Sequence, residues 1–238
     1  MSPYNLLLDN FKRLENPKKA KELQRFFKTA PGQYGQGDLF LGIVVPHQRD
    51  LVRRFWDSLS LSDTTKLLHS KYHEHRLTAL LILVRKFEKA KPLEKEEIYN
   101  LYLDNTQYIN NWDLVDLSAP NIIGAHLQND TEHLTVLKKL ALSDSLWERR
   151  ISLLATLPFI KDEDFDDLLE LSQILINDSH DLIHKALGWM LREMGKRSEE
   201  ALYDYLDKYA TSLPRTALRY AIEKLPENKR QFYLKLKS

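Results

Sequence analysis

The chain has 238 residues, of which 43% are hydrophobic and 29% are charged, and its formal net charge is +1. Because it contains no cysteine, disulfides, thiolate metal sites and cysteine nucleophiles are excluded, and a reducing compartment is favoured. A net charge near zero neither favours nor excludes nucleic acid as a partner, since binding depends on how the charge is distributed.

The N-terminal segment, residues 1–17, lacks the basic stretch and apolar core of a secretory signal. The longest apolar run, residues 79–84, is far shorter than the roughly 20 residues that cross a bilayer. We therefore expect a cytoplasmic protein with no membrane partner.

Helical periodicity runs almost from end to end, with short breaks at residues 15–17, 91–92, 143–144 and 213–214. Leucine dominates the apolar residues and there are only 7 glycines, which favours helix over sheet. The pattern predicts an all-α fold of about twelve helices arranged in antiparallel pairs.

One irregular stretch, residues 29–42, holds four of the seven glycines and ends shortly before Pro46, which is expected to open a helix. The spacing of its glycines at positions 32, 35 and 37 is similar to that of a phosphate-binding loop. No buried strand precedes them, so neither a dinucleotide site nor a P-loop is predicted. The stretch is the best candidate for a functional loop.

Three segments, which begin at residues 73, 146 and 181, resemble each other. Aligning Arg76, Arg150 and Lys185 gives separations of 74 and 35 residues, so one further unit is expected near residue 112. Units of this length, each a helix pair, predict a HEAT-like α-solenoid that curves around a concave surface. We expect a single domain over residues 1–238.

The segment 181–196 has two different faces when it is drawn as a helix. The apolar face, expected in the core, holds Leu182, Ile183, Ala186, Leu187, Met190, Leu191 and Met194. The opposite face holds Lys185, Trp189, Arg192 and Lys196. Cations around an aromatic platform are typical of nucleic-acid surfaces. The alternative is a tryptophan that a neighbouring loop covers.

Residues 109–120, INNWDLVDLSAP, contain features that do not favour a helix. Trp112 and Asp116 are four residues apart and share a helix face, whereas Val115 and Ile122 point toward the core. Pro120 cannot donate to the carbonyl of residue 116, so we expect a kink that opens the helix at Asp116. These residues are therefore candidates for a role other than helix formation.

A purely structural explanation of the same stretch is also open. Asn111 or Asp113 would then cap the helix, and Asp116 would be an ordinary surface charge. Arg150 is similarly ambiguous, because its helical position makes it partly buried. It then needs an anionic partner, for which Asp116 is a candidate, and structural pairing and ligand contact both remain possible.

Two histidine pairs, His69 with His73 and His180 with His184, have the i, i+4 spacing of zinc ligands. Neither pair has the glutamate of an HExxH motif between its members, and thiolate ligands are absent. We therefore expect no metal site.

Five longer motifs are GDLFLGIVVPHQRDL from Gly37, NNWDLVD at residues 110–116, SLWERRISLL from Ser145, KALGWMLREMGK from Lys185 and RTALRYAIEKLP from Arg215. In this order they resemble the AlkD-like DNA alkylation repair proteins, which are DNA glycosylases built from HEAT-like repeats. The resemblance covers most of the chain, and the first thirty residues match more loosely.

The resemblance implies that Asp116, rather than Asp113, is the catalytic aspartate and that Trp112 and Trp189 are the active-site tryptophans. Asp113 is then a capping or supporting residue. We expect the DNA contacts to come from Arg150 and Arg192, which match the family's lesion-site arginines, and from Lys185, Arg76 and Arg215.

The activity that the resemblance implies is hydrolysis of the N-glycosidic bond of cationic N-alkylated purines, such as 3-alkyladenine and 7-alkylguanine, in double-stranded DNA. It implies base excision repair without a base-flipping pocket and without a cofactor or metal. We expect a monomer in the bacterial cytosol or associated with the nucleoid. Two alternatives stay open: a non-catalytic protein that binds DNA structures, and a protein-interaction scaffold, which is the commonest use of such solenoids.

Overall fold

A computed structural model describes residues 1–128 and 130–236. All regular secondary structure in these two ranges is helical, and the one β contact within them is an isolated parallel bridge between Leu39 and Tyr72. The all-α prediction is therefore confirmed. Within the same ranges, no helix combines the length and the apolar character that crossing a bilayer requires.

The chain divides into two compact units, Met1–Ser118 and Ala119–Ser238. The helices that begin in the first unit are α1 (Pro3–Leu14), α2 (Pro17–Phe26), α3 (Val45–Phe55), α4 (Leu61–Leu68), α5 (His73–Lys89), α6 (Pro92–Asp104), a 3₁₀ turn (Thr106–Tyr108) and α7 (Trp112–Ala119).

The second unit starts with a π-helical turn (Pro120–Gly124) and continues with shorter and longer α-helices. These are α8 (Ala125–Leu127), α9 (His133–Ala141), α10 (Leu146–Ala155), α11 (Leu157–Lys161), α12 (Asp166–Leu175), α13 (Asp181–Arg197), α14 (Glu199–Tyr209), α15 (Arg215–Ala221) and α16 (Glu227–Lys235).

Each of the four predicted breaks separates two helices, and local chemistry explains where the following helix starts. At α2 the side chain of Asn16 accepts a hydrogen bond from the backbone N–H of Lys19, and Pro17 occupies the first helical position. Serine side chains cap α4, α10 and α14 in the same way. These boundaries are therefore set by short-range interactions.

The three mutually similar segments correspond to α5, α10 and α13, and the further unit expected near residue 112 corresponds to α7. This succession of helices is consistent with a helical-repeat solenoid. The single domain and the concave surface stay predictions.

Within the first unit, α5 packs against α3, α4 and α6, and most of its length is buried. Its middle is apolar, as in any core helix. Its first turn is different, because His73, Glu74 and Arg76 are buried although all three are polar. Buried polar groups require partners, so this turn leads directly to the candidate site.

Within the second unit, α13 packs against α10, α11, α12, α14 and α15. Six of its seven predicted core residues are fully buried, and Leu182 is half-buried. Gly188 allows α15 to approach closely, because a Cβ atom there would lie 2.3 Å from the carbonyl oxygen of Ala217. The predicted apolar face of this helix is confirmed.

Candidate active site

Helix α7 carries the motif that stood out in the sequence. Trp112 is its first residue and Asp116 follows one turn later, and both residues are half-buried. Val115 and Ile122 are fully buried, so these two predicted core positions are confirmed. The face with Trp112 and Asp116 is the more exposed side of the helix.

The π-helical turn Pro120–Gly124 follows α7 directly. Because Pro120 has no N–H, it cannot give the carbonyl of Asp116 the hydrogen bond that a regular helix would supply. The predicted interruption is present, but as a widened helical turn and not as the end of the helix. Single π turns of this kind recur at functional sites.

A buried hydroxyl pair lies close to Asp116. The Tyr102 hydroxyl is 2.9 Å from the Ser118 hydroxyl, which donates to the carbonyl of Leu114 at 2.5 Å. Burial raises the pKa of Tyr102, Ser118 opposes this through its hydrogen bond, and the negative charge of Asp116 raises the pKa further. The phenol therefore stays protonated, and the field of Asp116 extends into the interior.

Side chains on either side of Trp112 hold the first turn of α7. Asn111 is fully buried, and its Oδ1 accepts a hydrogen bond from the backbone N–H of Trp112 at 2.9 Å. Oδ1 of Asp113 accepts from the backbone N–H of Leu114 at 2.9 Å. Both residues considered as caps thus bond to the first turn, and both also reach inward.

Their inward contacts belong to a group of four charged or ionisable side chains, Asp38, His73, Arg76 and Asp113, which we name the buried charge cluster. The His73 ring lies between two carboxylates, with Nε2 2.9 Å from Asp113 and Nδ1 3.3 Å from Asp38. Arg76 donates to the second oxygen of Asp38 at 2.7 Å. None of the four residues is more than 7% exposed.

The electrostatics of the buried charge cluster favour charged forms. Burial disfavours the imidazolium, but Asp113 and Asp38 outweigh it and raise the pKa of His73 to about 9. Burial likewise opposes ionisation of Asp38, whereas His73 and Arg76 lower the pKa of that carboxyl. At neutral pH the cluster then holds two cations and two anions, so its charges compensate each other.

Stacked rings connect Trp112 to the same cluster. The Trp112 ring stacks on Phe27 at 5.4 Å between centroids, Phe27 stacks on Phe40 at 5.2 Å, and Phe40 stacks on His73 at 4.6 Å. Phe27 follows the end of α2 and Phe40 lies in the glycine-rich loop. Residues from three other parts of the first unit, the end of α2, the glycine-rich loop and α5, therefore fix the position of Trp112.

The glycine-rich loop, residues 29–42, has a structural role that its sequence did not reveal. The buried carboxylate of Glu74 accepts hydrogen bonds from the backbone N–H groups of Leu41, Gly42 and Ile43 at 2.8 to 3.1 Å. Asp38 adds its bonds to His73 and Arg76 of α5, and it accepts from the side-chain amide of Asn111, the residue before α7, at 3.4 Å. The loop thus joins the start of α5 to the start of α7 and supports the candidate site.

The structure corrects the expectation for Arg76. It is 4% exposed, and its guanidinium donates to Asp38 and to the backbone carbonyl of Ser70. A guanidinium placed in this way does not face solvent and cannot meet a DNA phosphate without leaving the core. Arg76 therefore supports the fold of the first unit and is not a DNA contact.

The two histidine pairs have separate protein partners. His73 belongs to the buried charge cluster, and His69 is 2.5 Å from the side-chain oxygen of Asn105. His180 caps α13, and His184 is 2.5 Å from the carbonyl of Asp178. In the described ranges, no group of three or more His, Cys, Asp or Glu side chains is arranged to hold a metal ion.

In the second unit, Arg150 is 4% exposed and donates to the backbone carbonyl of Leu182 at 2.5 Å. Its burial was expected from its helical position. As for Arg76, a guanidinium placed in this way does not meet a DNA phosphate without leaving the core, so the structure also corrects the expectation that Arg150 contacts DNA. Trp112 and Asp116 belong to the first unit, and Arg150 to the second. Its pairing with Asp116 therefore stays a prediction.

The polar face of α13 is less basic than its cations suggested. The indole N–H of half-buried Trp189 donates to Glu193 at 3.0 Å, and Lys196 donates to the same carboxylate at 2.7 Å. Arg192 pairs with Glu223, whose pKa this guanidinium lowers. Carboxylates thus occupy the positions that DNA phosphates would take.

Two further expected DNA-binding residues are also engaged in the second unit. Lys185 pairs with Asp181 at 2.8 Å, one turn away on α13. Arg215 is exposed and donates to the carbonyl of Leu234 at 2.8 Å. Exposed contacts of this kind are weak and exchange readily for a phosphate. The convergence of Trp189 and Arg192 with Asp116 on one lesion stays a prediction.

Sequence reasoning missed several carboxylates. Glu193 could have been found, because it lies four residues after Trp189 and therefore on the same helix face. Asp38 and Glu74 had no such local signal. The backbone N–H groups that donate to Glu74 are at least 31 residues away along the chain, and Arg76 is 38 residues from Asp38. Glu223 is likewise 31 residues from Arg192.

Comparison with known proteins agrees with this architecture. A family model described as DNA alkylation repair enzyme matches residues 7–225. No curated protein matches the chain. A solved structure described as a predicted DNA alkylation repair enzyme from Enterococcus faecalis is similar, with a TM-score of 0.68 and 18% identity over 90% of this chain and 97% of that one. At this identity the likeness shows the fold alone.

Proposed function

The chain belongs to the family of DNA alkylation repair enzymes, and on that basis we propose that it is a monofunctional DNA glycosylase for alkylated purines. Its substrate is double-stranded DNA in which a purine carries an alkyl group on a ring nitrogen, as in 3-alkyladenine and 7-alkylguanine. The reaction is hydrolysis of the N-glycosidic bond by a monomer, without a base-flipping pocket, and it starts base excision repair.

The chemistry of these lesions defines what the enzyme supplies. Alkylation makes the purine cationic, so the base leaves as a neutral molecule and needs no general acid. The positive charge moves to the sugar, and a fixed negative charge beside it stabilises the transition state. A carboxylate about 4 Å from a unit charge contributes about 4 kcal/mol at an effective dielectric constant near 20, which is roughly a thousandfold in rate.

The position of Asp116 carries the proposal. It lies one helical turn after Trp112, is half-buried, and precedes the π-helical turn at Pro120. Partial burial strengthens the field of the carboxylate without removing it from reach, and its charge already acts on the buried Tyr102 hydroxyl. The same carboxylate orients the attacking water as a general base.

The other site residues bind and shield the sugar and its phosphates. Trp112 and Trp189 flank the deoxyribose, exclude water and attract the developing cation through their ring faces. Arg192 and Lys185 hold the neighbouring phosphates, and Arg215 contacts the backbone beyond them. Arg150, which is as buried as Arg76, positions α10 against α13 through its bond to the carbonyl of Leu182. Because Arg192 and Lys185 pair with Glu223 and Asp181, DNA binding exchanges a carboxylate for a phosphate at each cation.

The test is excision of 7-methylguanine from a duplex oligonucleotide, detected as abasic sites under single-turnover conditions. Wild-type protein is expected to release the base, and Asp116→Asn is expected to lose excision by about a thousandfold while DNA binding is largely retained. Asp104→Asn on α6, an exposed aspartate, is the matched control and should keep wild-type excision.

Two results would contradict the proposal. Excision that survives in Asp116→Asn would show that another group stabilises the sugar cation. No excision by wild type at enzyme excess, combined with salt-dependent binding of the same duplex, would leave a non-catalytic DNA-binding protein. Absence of both excision and salt-dependent DNA affinity would instead favour a protein scaffold.

A further inference from the structure

Helix α2 is the most solvent-exposed of the longer helices in the first unit. None of its ten residues is buried. Lys18, Lys21 and Arg25 are all exposed, and at 100° per residue they fall within about 60° of one another. The helix therefore presents one basic stripe to solvent, which we name the α2 stripe.

The stripe lies in a strongly positive part of a nearly neutral chain. Residues 12–28 contain seven Lys or Arg against two Glu, whereas the whole chain has a net charge of +1. One of the two, Glu22, pairs with Lys19 at 2.9 Å. In the described part of the chain, Lys18, Lys21 and Arg25 have no acidic side chain within ion-pair distance.

Contacts at both ends hold α2 in place. At its start the backbone N–H of Asn16 donates to the carbonyl of Leu41 at 2.8 Å, and a Cβ atom on Gly42 would lie only 2.1 Å from the Asn16 carbonyl oxygen. At its end Phe27 enters the ring stack with Trp112. The stripe is therefore fixed relative to Trp112 and does not depend on a free loop.

An exposed aromatic ring lies between the stripe and Trp112. Phe26, the last residue of α2, is 62% exposed. Its ring meets that of Trp112 edge to face, with 6.0 Å between the centroids. Large exposed aromatic rings beside cations are typical of binding surfaces, and this one extends the surface of Trp112 outward.

We infer that the α2 stripe and Phe26 form a docking surface for the sugar–phosphate backbone of duplex DNA next to Trp112. The inference deepens the proposed function, since the DNA that enters the active site continues along α2. Lys18 and Arg25 are about 10 Å apart along the helix axis, and phosphates of one strand recur about every 3.4 Å along the duplex. The stripe thus spans about three phosphate steps of one strand, so its three cations reach phosphates within a run of about four, and Phe26 covers the apolar face of a sugar.

The test is the salt dependence of binding to an undamaged duplex, which does not depend on catalysis. The variant Lys18→Gln/Lys21→Gln/Arg25→Gln removes three charges from exposed positions. Because each neutralised phosphate contributes about 0.9 to the slope of log affinity against log salt, the slope should become shallower by about 2 to 3.

A matched control changes the same number of charges on other helices of the chain. Lys89→Gln/Lys139→Gln/Lys208→Gln alters exposed lysines of α5, α9 and α14. The control should keep the wild-type slope to within about 1. An unchanged slope in the α2 variant, or an equal change in the control, would overturn the inference.

Phe26 supplies a second, charge-independent measurement. Phe26→Ala should weaken duplex binding by about three- to tenfold at every salt concentration, with the slope unchanged, because only an apolar contact is lost. Phe232→Ala, at another exposed aromatic position of 54% exposure, should bind like wild type. Equal affinities of Phe26→Ala and wild type would contradict a role for this ring.

The inference and the proposed function fail in different ways. If wild type releases no 7-methylguanine but the salt slope is still shallower in the α2 variant, the docking surface stands and the proposed function fails. If wild type releases 7-methylguanine but the α2 variant keeps the wild-type salt slope, the proposed function stands and the docking surface is wrong. Stronger loss of binding to phosphatidylserine vesicles than to duplex DNA in the α2 variant would identify a membrane surface and overturn the inference.

Discussion

Replacing Asp113 with asparagine is expected to remove most of the alkaline pH dependence of the free energy of unfolding. His73 lies 2.9 Å from Asp113 and 3.3 Å from Asp38 in the interior, close to the guanidinium of Arg76. An asparagine side chain has nearly the same shape: its one oxygen still accepts from the backbone N–H of Leu114, and its NH2 group donates to Nε2 of a neutral His73 ring. The substitution therefore removes a charge while the packing stays nearly the same.

The magnitude follows from the pKa of His73. Its value in the folded protein is raised from 6.5 to about 9, and the folded state therefore binds one more proton than the unfolded state between these two values. The stabilisation is fully present below pH 6.5, decreases as pH rises and is lost above about 9. At 1.36 kcal/mol per unit, the loss is about 3 kcal/mol.

Urea unfolding from about pH 6 to about pH 10 measures this dependence, and the difference between wild type and variant isolates it from other titrating groups. Wild type should lose about 3 kcal/mol over this range beyond the loss in Asp113→Asn. Proton NMR of the ring gives a direct check, because one of the eight histidines should titrate near pH 9 in wild type and lower in the variant.

The exposed substitution Asp104→Asn serves as control and should follow the wild-type curve. Parallel curves for wild type and Asp113→Asn would refute the reasoning, as would a titration in which every histidine is neutral by pH 8. Either result would mean that His73 is uncharged between its two carboxylates. The compensation of charges in the buried charge cluster would then be wrong.

Three further substitutions test other parts of the structure. Glu74→Gln should cost about 2 to 4 kcal/mol in urea unfolding, because an amide group meets backbone N–H groups that a buried carboxylate accepted from. Gly188→Ala should cost about 1 to 3 kcal/mol, since its Cβ would lie 2.3 Å from the carbonyl oxygen of Ala217. Glu223→Gln should raise DNA affinity a few-fold at low salt in a binding titration, because it releases Arg192 for a phosphate.

Each of these has a result that contradicts it. Glu97→Gln, an exposed change on α6, should leave the free energy of unfolding unchanged. If Glu74→Gln also left it unchanged, Glu74 would not bind the backbone of the glycine-rich loop. If Gly188→Ala were as stable as wild type, α15 would have to lie farther from α13 than the structure shows. Glu200→Gln is the control for the loss of one negative charge. If it raised DNA affinity as much as Glu223→Gln, the gain would come from net charge and not from the release of Arg192.

Local features of the sequence determined where the helices lie and which faces are buried. Prolines and capping residues such as Asn16 act within three or four residues, so their effects can be read directly. The apolar stripe of α13 and the pairing of Trp112 with Asp116 on one face follow from helical periodicity. The motifs that resemble a known family added the expected chemistry of Asp116.

Only the tertiary structure decided which polar residues are structural. Arg76 and Arg150 were both expected to contact DNA, but Arg76 is held by Asp38, 38 residues earlier in an irregular loop, and Arg150 by the carbonyl of Leu182, 32 residues later. The role of that loop is equally invisible in a local pattern, because its bonds to Glu74 and His73 cross 31 to 35 residues of chain. Burial and charge pairing depend on such distant neighbours, whereas periodicity reports only adjacent turns.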